Sequence, residues 1–250
     1  MKAELSTRST RAQLLEAVRS VDRTEVEKQL GLSADRLSVV KSCVAPEDWG
    51  DDDAVLHRYL ALHIPLAIEQ GRYVWNGKEI VMRAGHLATA SGAPVYLGLA
   101  PPDWSPTWAG ERPSTVEALL PTDLGPWPVL DQRREVVVAC EVRESVLGKL
   151  SPILQSIVVA GAVEWSIRRG LATRHLHRDT PGYFAPIHLS DRDGAPELVA
   201  AIQVQSNRNV VRALLEPRPA YGPARVVAER RDQVPRWLLD AWSQFSNQDT

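Results

Sequence analysis

Between Arg168 and Arg178 the chain gathers the densest set of groups able to act on a phosphate: Arg168, Arg169, Arg174, His175, His177 and Arg178. A guanidinium is planar, permanently charged and able to fork onto two phosphate oxygens at once. An imidazole changes protonation near neutral pH, so it can give or take a proton there. Arginines in that company point to phosphate binding, and the two histidines add general acid and base chemistry. Tyr221 and Arg225 lie further along, and Arg225 would stabilise negative charge developing on a phosphate. The candidate catalytic residues are therefore His175, His177 and Arg225. The candidate binding residues are Arg168, Arg169, Arg174, Arg178 and Tyr221. All twelve Lys and Arg residues after position 150 are arginine, against ten acids. Solvated surface arginines give the same count, and so does a coding bias against lysine.

Other reactive residue types are dispersed. Cys43 and Cys140 stand outside any metal-ligand spacing, which fits a reducing compartment better than a disulfide framework. Asp51, Asp52 and Asp53 lack the alternating ligands, central glycine and terminal Glu of a calcium loop, and acids ahead of a helix complement its positive end. Neither a metal nor another cofactor is expected. His86 has no acid or nucleophile next to it in sequence. Trp104, Trp108 and Trp127 fall in a proline-rich stretch from Pro101 to Pro128, where they could stack bases, staple the loop to the core or form a protein-partner surface.

The elements that must carry these groups read as α+β: N-terminal helices, then mixed antiparallel sheets, with the C-terminal half a long helix followed by a four-stranded antiparallel meander. Leu14, Leu15, Val18 and Val21 share one helical face. Residues 24–41 have the outline of a helix-turn-helix, but the second helix is poor in base-reading side chains, so a small helical hairpin is the simpler expectation. Val55, Leu56, Tyr59, Leu60 and His63 continue a helix that Pro65 should bend or break. Asn76-Gly77 between apolar runs predicts a hairpin, with His86 in the loop beyond it. Val95–Leu99 and the β-branched run in Arg133–Glu141 predict further strands. Ser151-Pro152 opens a largely apolar helix that ends in the cationic cluster. Strands are expected at 183–189, 198–204, 210–215 and 224–228, and a final amphipathic helix around Trp237, Leu238, Leu239 and Trp242. The domain expectation is a helical segment over 1–45 and a main domain over 46–250, with a subdivision near 128–150.

Several short motifs occur in order: APEDW (45–49), LHRYL (56–60), MRAGHL (82–87), FAPIHLSD (184–191), LVAAIQV (198–204), AYGPARVV (220–227) and PRWL (235–238). In this order they resemble the bacterial domain-of-unknown-function family 3825 over roughly residues 40–240. Members of that family are often joined to cold-shock or other RNA-binding modules, so the resemblance implies an RNA-related role and carries over no catalytic residue. Arg83-Ala84-Gly85-His86 stands where the family has Asn-Thr-Gly-Leu. Arg218 to Arg225 stands where it has Asp-Met-Ala-Tyr-Asn-Asn-Ala-Arg. Gly85, Tyr221 and Arg225 match; the acid and both asparagines do not.

The formal net charge of −2 supplies no global attraction for polyanions. The N-terminus is polar and no apolar run reaches the length of a bilayer span, so a cytoplasmic protein without membrane contact is expected. Three functions fit. The first is binding of RNA or a phosphate-bearing nucleotide at the basic helix end. The second is metal-independent RNA cleavage by the same His and Arg residues, and the third a scaffold using the tryptophan loop. The sequence leaves the oligomeric state open.

Overall fold

The computed structural model describes residues 28–76, 78–101, 103–142, 147–148, 150–177, 180–191 and 193–246, excepting the side chains of 244–246. The helix expected at Leu14–Val21, the first helix of the hairpin before residue 28, Gly77 of the Asn-Gly turn, Arg178 and the last four residues lie outside these. Contacts divide the chain into one unit ending at Asp123 and a second beginning at Leu124. Among the described residues no helix is long and apolar enough to cross a membrane.

In the first unit, α1 (Ala34–Lys41) buries Leu37 and Val40 and packs against β4 (Ser105–Gly110). A single turn at Asp51–Asp53 leads into α2 (Ala54–Glu69). None of those acids caps the helix with its side chain; Asp53 instead pairs with Lys41 at 2.6 Å. Leu56, Tyr59, Leu60, His63, Ile64 and Ala67 recur at helical spacing and are buried. Of the bend or break expected at Pro65, the break does not occur: Pro65 lies inside α2. Buried packing on both sides of it outweighs the one backbone bond it cannot make. Strands β1 (Tyr73–Trp75), β2 (Ile80–Ala88), β3 (Pro94–Ala100) and β4 form an antiparallel sheet in sequence order. His86 belongs to β2 and not to a loop, because the β2–β3 pairing continues past an irregularity between Arg83 and Ala88.

The second unit is a five-stranded mixed sheet in the order β5-β9-β8-β7-β6. Its strands are β5 (Glu135–Val138), β6 (Thr173–His177), β7 (Thr180–Ile187), β8 (Leu198–Val204) and β9 (Arg208–Leu215). Neighbours from β6 to β9 run antiparallel, while β5 pairs with β9 in parallel. Between β5 and β6 runs α3 (Pro152–Arg168), and after β9 come α4 (Pro217–Val227) and α5 (Arg236–Ser246).

The α+β class therefore stands, but the arrangement differs from a helix followed by a meander over 183–228. A strand precedes the helix and completes the sheet. The segment expected as a strand at 224–228 lies largely in α4, whose Pro217 occupies the first turn, where a missing N–H costs nothing. Residues 173–177, expected at the cationic end of the helix, are a strand. Helix α3 stops at a Schellman turn: Gly170 has φ +68°, its N–H donates to the Ile167 carbonyl, and the Leu171 N–H donates to that of Ser166. Nor is α3 buried all round. It covers Ala185, Ile187, Leu198, Ala200 and Ile202 through Val159, Val163 and Ile167, and leaves Ile153, Leu154 and Ile157 exposed.

Candidate functional site

Strand geometry divides the cationic cluster. Successive side chains on a strand point to opposite faces, so His175 and His177 share one face of β6 and Arg174 takes the other. Arg174 lies over the Trp127 ring at 5.7 Å, and Trp127 donates from Nε1 to the Gly182 carbonyl at 3.1 Å. Arg168 is an exposed side chain paired with Glu164 at 3.1 Å. Arg169 sits over the Trp165 ring at 5.4 Å.

Tyr221 and Arg225 are in the core. The Tyr221 ring stacks on Trp242 at 4.5 Å, and Arg225, almost fully buried, donates from a terminal nitrogen to the Ala228 carbonyl at 3.2 Å. The expected site is thus not one surface. Its described arginines hold a helix end, a tryptophan and the core, and only the two histidines remain together.

Those two histidines line a cavity of about 440 Å³ on the sheet face opposite α3. His175 stacks on Phe184 with ring centroids 3.8 Å apart and planes 14° from parallel. Its β7 neighbour is Gly182, and the stack depends on that glycine having no side chain. A Cβ there would come within 2.9 Å of His175 Nε2 and 2.7 Å of the Ile202 carbonyl oxygen. His175 is 6% exposed, yet neither ring nitrogen has a hydrogen-bond partner. An unpaired buried polar group of this kind costs about 1–3 kcal/mol. Burial lowers its pKa to about 4, with the nearby His177 acting in the same direction. The ring is therefore neutral at pH 7 and offers one donor and one acceptor.

Opposite the histidines lies Arg212, which the sequence analysis did not single out. Across the β8–β9 pairing Ala201 faces Ala213 and Ile202 faces Val211, so Arg212 is the extra residue of a bulge. Bulges of this sort re-aim a side chain. Arg212 Nε donates to Gln203 Oε1 at 2.8 Å, which fixes the exposed guanidinium at the cavity. No carboxylate is among the described cavity residues. Gly182 lies just before the strand expected at 183–189, so no strand signal marked its close approach. Arg212 had none either, because a bulge is a property of pairing.

No protein-family model matches this chain, and neither does any curated protein or solved structure. Gly85, Tyr221 and Arg225, the positions shared with the family pattern noted above, are all buried.

A second histidine cluster lies in the first unit. His63 Nδ1 is hydrogen-bonded to Thr122 Oγ1, and its ring stacks on Tyr59 at 4.1 Å. Tyr59 Oη in turn accepts the His86 N–H at 2.8 Å. Gly85, at φ +53°, lies so close that a Cβ would meet Tyr59 Oη at 2.6 Å. These groups satisfy one another.

The tryptophan loop is also packed. Trp104 is buried and Trp108 donates to Glu79 at 2.8 Å. Trp108 and Trp127 are half-buried, and the Trp127 indole nitrogen donates to the Gly182 carbonyl.

Proposed function

We propose that this is a cytoplasmic protein whose second unit binds RNA or a phosphate-bearing nucleotide in the His175 cavity, and not at the end of α3. One observation carries this reading. A cavity on the sheet face opposite α3 is lined by His175, His177 and a guanidinium fixed by Gln203, with no carboxylate among its described residues. An apolar pocket with a few polar groups and no carboxylate suits an anionic ligand. Arg212 and His177 supply the cationic side for a phosphate, and the apolar floor around Phe184 and Ala201 suits the flat remainder of a nucleotide.

The test is binding of a fluorescent short single-stranded RNA, and of a nucleoside monophosphate, followed by anisotropy and calorimetry. Affinity for RNA should fall by about tenfold between about 50 and 200 mM salt if two or three phosphates are neutralised. Arg212→Ala should lose roughly tenfold to a hundredfold, the worth of a charge-assisted hydrogen bond. Arg168→Ala, at the helix end, should bind as the parent does. Equal losses from Arg168→Ala and Arg212→Ala would return the site to the helix end, and salt-independent binding would remove phosphate recognition altogether.

A further inference from the structure

We infer that the cavity holds an internal nucleotide of a single RNA strand, one of its two phosphates at Arg212 and Gln203 and the other at His177 and Thr180. This rests on the phosphate-binding reading above and deepens it. The ligand is a chain laid across the strands, and not a free mononucleotide.

The cavity has two polar ends, and all four residues line it. At one end Arg212 of β9 is tied through Nε to Gln203 of β8, and its terminal guanidinium nitrogens remain donors. At the other, His177 of β6 and Thr180 of β7 are cross-strand partners, both exposed, with their side chains on one face. A hydroxyl can donate, and an imidazole has an N–H to donate in either protonation state. Side chains stand roughly perpendicular to a sheet, and β6 lies two strand spacings from β8, about 10 Å. A phosphate group is much narrower than that interval. Arg212 and His177 therefore serve successive phosphates and not the same one.

Between the ends the floor is low and apolar. Gly182 of β7 has no side chain, and Ala201 of β8 and Ala213 of β9, directly paired, have only a methyl group each. Phe184, paired with Ala201, completes that floor. Donors, an apolar middle and donors again match the order of groups along a nucleic-acid strand, where each internal sugar and base sits between two phosphates. A mononucleotide has one anionic end and leaves the second pair of donors to water.

The experiment measures, by calorimetry on the full chain, adenosine 3′,5′-bisphosphate against the 3′- and 5′-monophosphates of the same nucleoside, with a short single-stranded RNA alongside. The bisphosphate should bind at least about tenfold tighter than either monophosphate, the worth of one further charge-assisted hydrogen bond. Arg212→Ala and His177→Gln change exposed side chains, and each should remove the benefit of a different phosphate, leaving the other monophosphate bound as before. Ala201→Leu raises the floor and should lose the bisphosphate and the RNA while the urea midpoint holds. RNA bound with salt sensitivity, but a bisphosphate no tighter than the monophosphates, overturns the internal nucleotide and leaves the binding reading standing. Equal losses of both monophosphates in each variant would put the two groups on one phosphate, and unchanged binding in Ala201→Leu would put the ligand elsewhere; either overturns the arrangement. Failure to bind RNA or any of the nucleotides overturns both readings.

Discussion

His63 and His175 are the same residue type at nearly the same burial, 2% and 6% exposed, each stacked flat on an aromatic ring. They differ in what their nitrogens meet. His63 sits in a closed set with Thr122 and Tyr59, under a glycine that admits no Cβ. His175 meets neither donor nor acceptor and borders a cavity. Burial alone therefore does not distinguish these two histidines; the completeness of their hydrogen bonding does. A satisfied imidazole adds to stability, whereas an unpaired one is carried at a cost.

The contrast is broken most directly with acid. The unfolded chain binds a proton on residue 175 near the ordinary histidine value of 6.5, while the folded chain holds that pKa at about 4. Between those values unfolding takes up a proton, so this contribution to stability is full above pH 6.5 and is lost as pH falls towards 4. Its size is on the order of 3 kcal/mol. Urea denaturation from pH 7 to 4.5 should show the loss, and a His175→Leu chain should lack that share of it. An identical pH dependence in the two proteins would mean that His175 is not held neutral by its surroundings.

On the other side of the comparison, Thr122→Val keeps the shape of the threonine and removes the hydroxyl that serves His63. Leaving that imidazole nitrogen unpaired should cost about 1–3 kcal/mol in the urea midpoint, with RNA binding by the second unit unchanged. A cost below a few tenths would show that another partner takes over and that the closed set is not closed by Thr122.

Much of this was legible in the sequence, and the failures share a cause. The stripe Leu56, Tyr59, Leu60 and His63 announced a buried helix face because helical spacing is local. That His175 and His177 have groups able to give or take a proton was legible from residue type. Their company was not, because Gly170 ends α3 and puts the next residues on a strand, whose two-residue period separates Arg174 from both histidines. A glycine directly after a cationic helix end was a usable stop signal. Tyr221 and Arg225 join the expected site through residue type and the family pattern, neither of which tells a buried side chain from an exposed one. The strand expected at 224–228 is a helix, and Pro217 stands where helices accept proline. Arg212 depends on pairing register between two strands, which no single stretch of sequence encodes.

The smallest expected effect tests the comparison most sharply. His175→Leu removes a ring whose two nitrogens are buried without partners, which relieves about 1–3 kcal/mol of unmet hydrogen bonding. It also removes the stack on Phe184, worth about 0.5–1.5 kcal/mol for an aromatic pair. Leucine refills most of the volume that the ring occupies next to Gly182. The opposing contributions leave the midpoint at neutral pH within about 1 kcal/mol of the parent, on either side. Nucleotide binding should nevertheless be lost, because the ring that lines the cavity beside Phe184 has gone. That pairing of unchanged stability with lost binding is what an open histidine predicts. If His175→Leu instead unfolds as easily as Thr122→Val, His175 is a core residue like His63, and the cavity beside it has no claim to be a site.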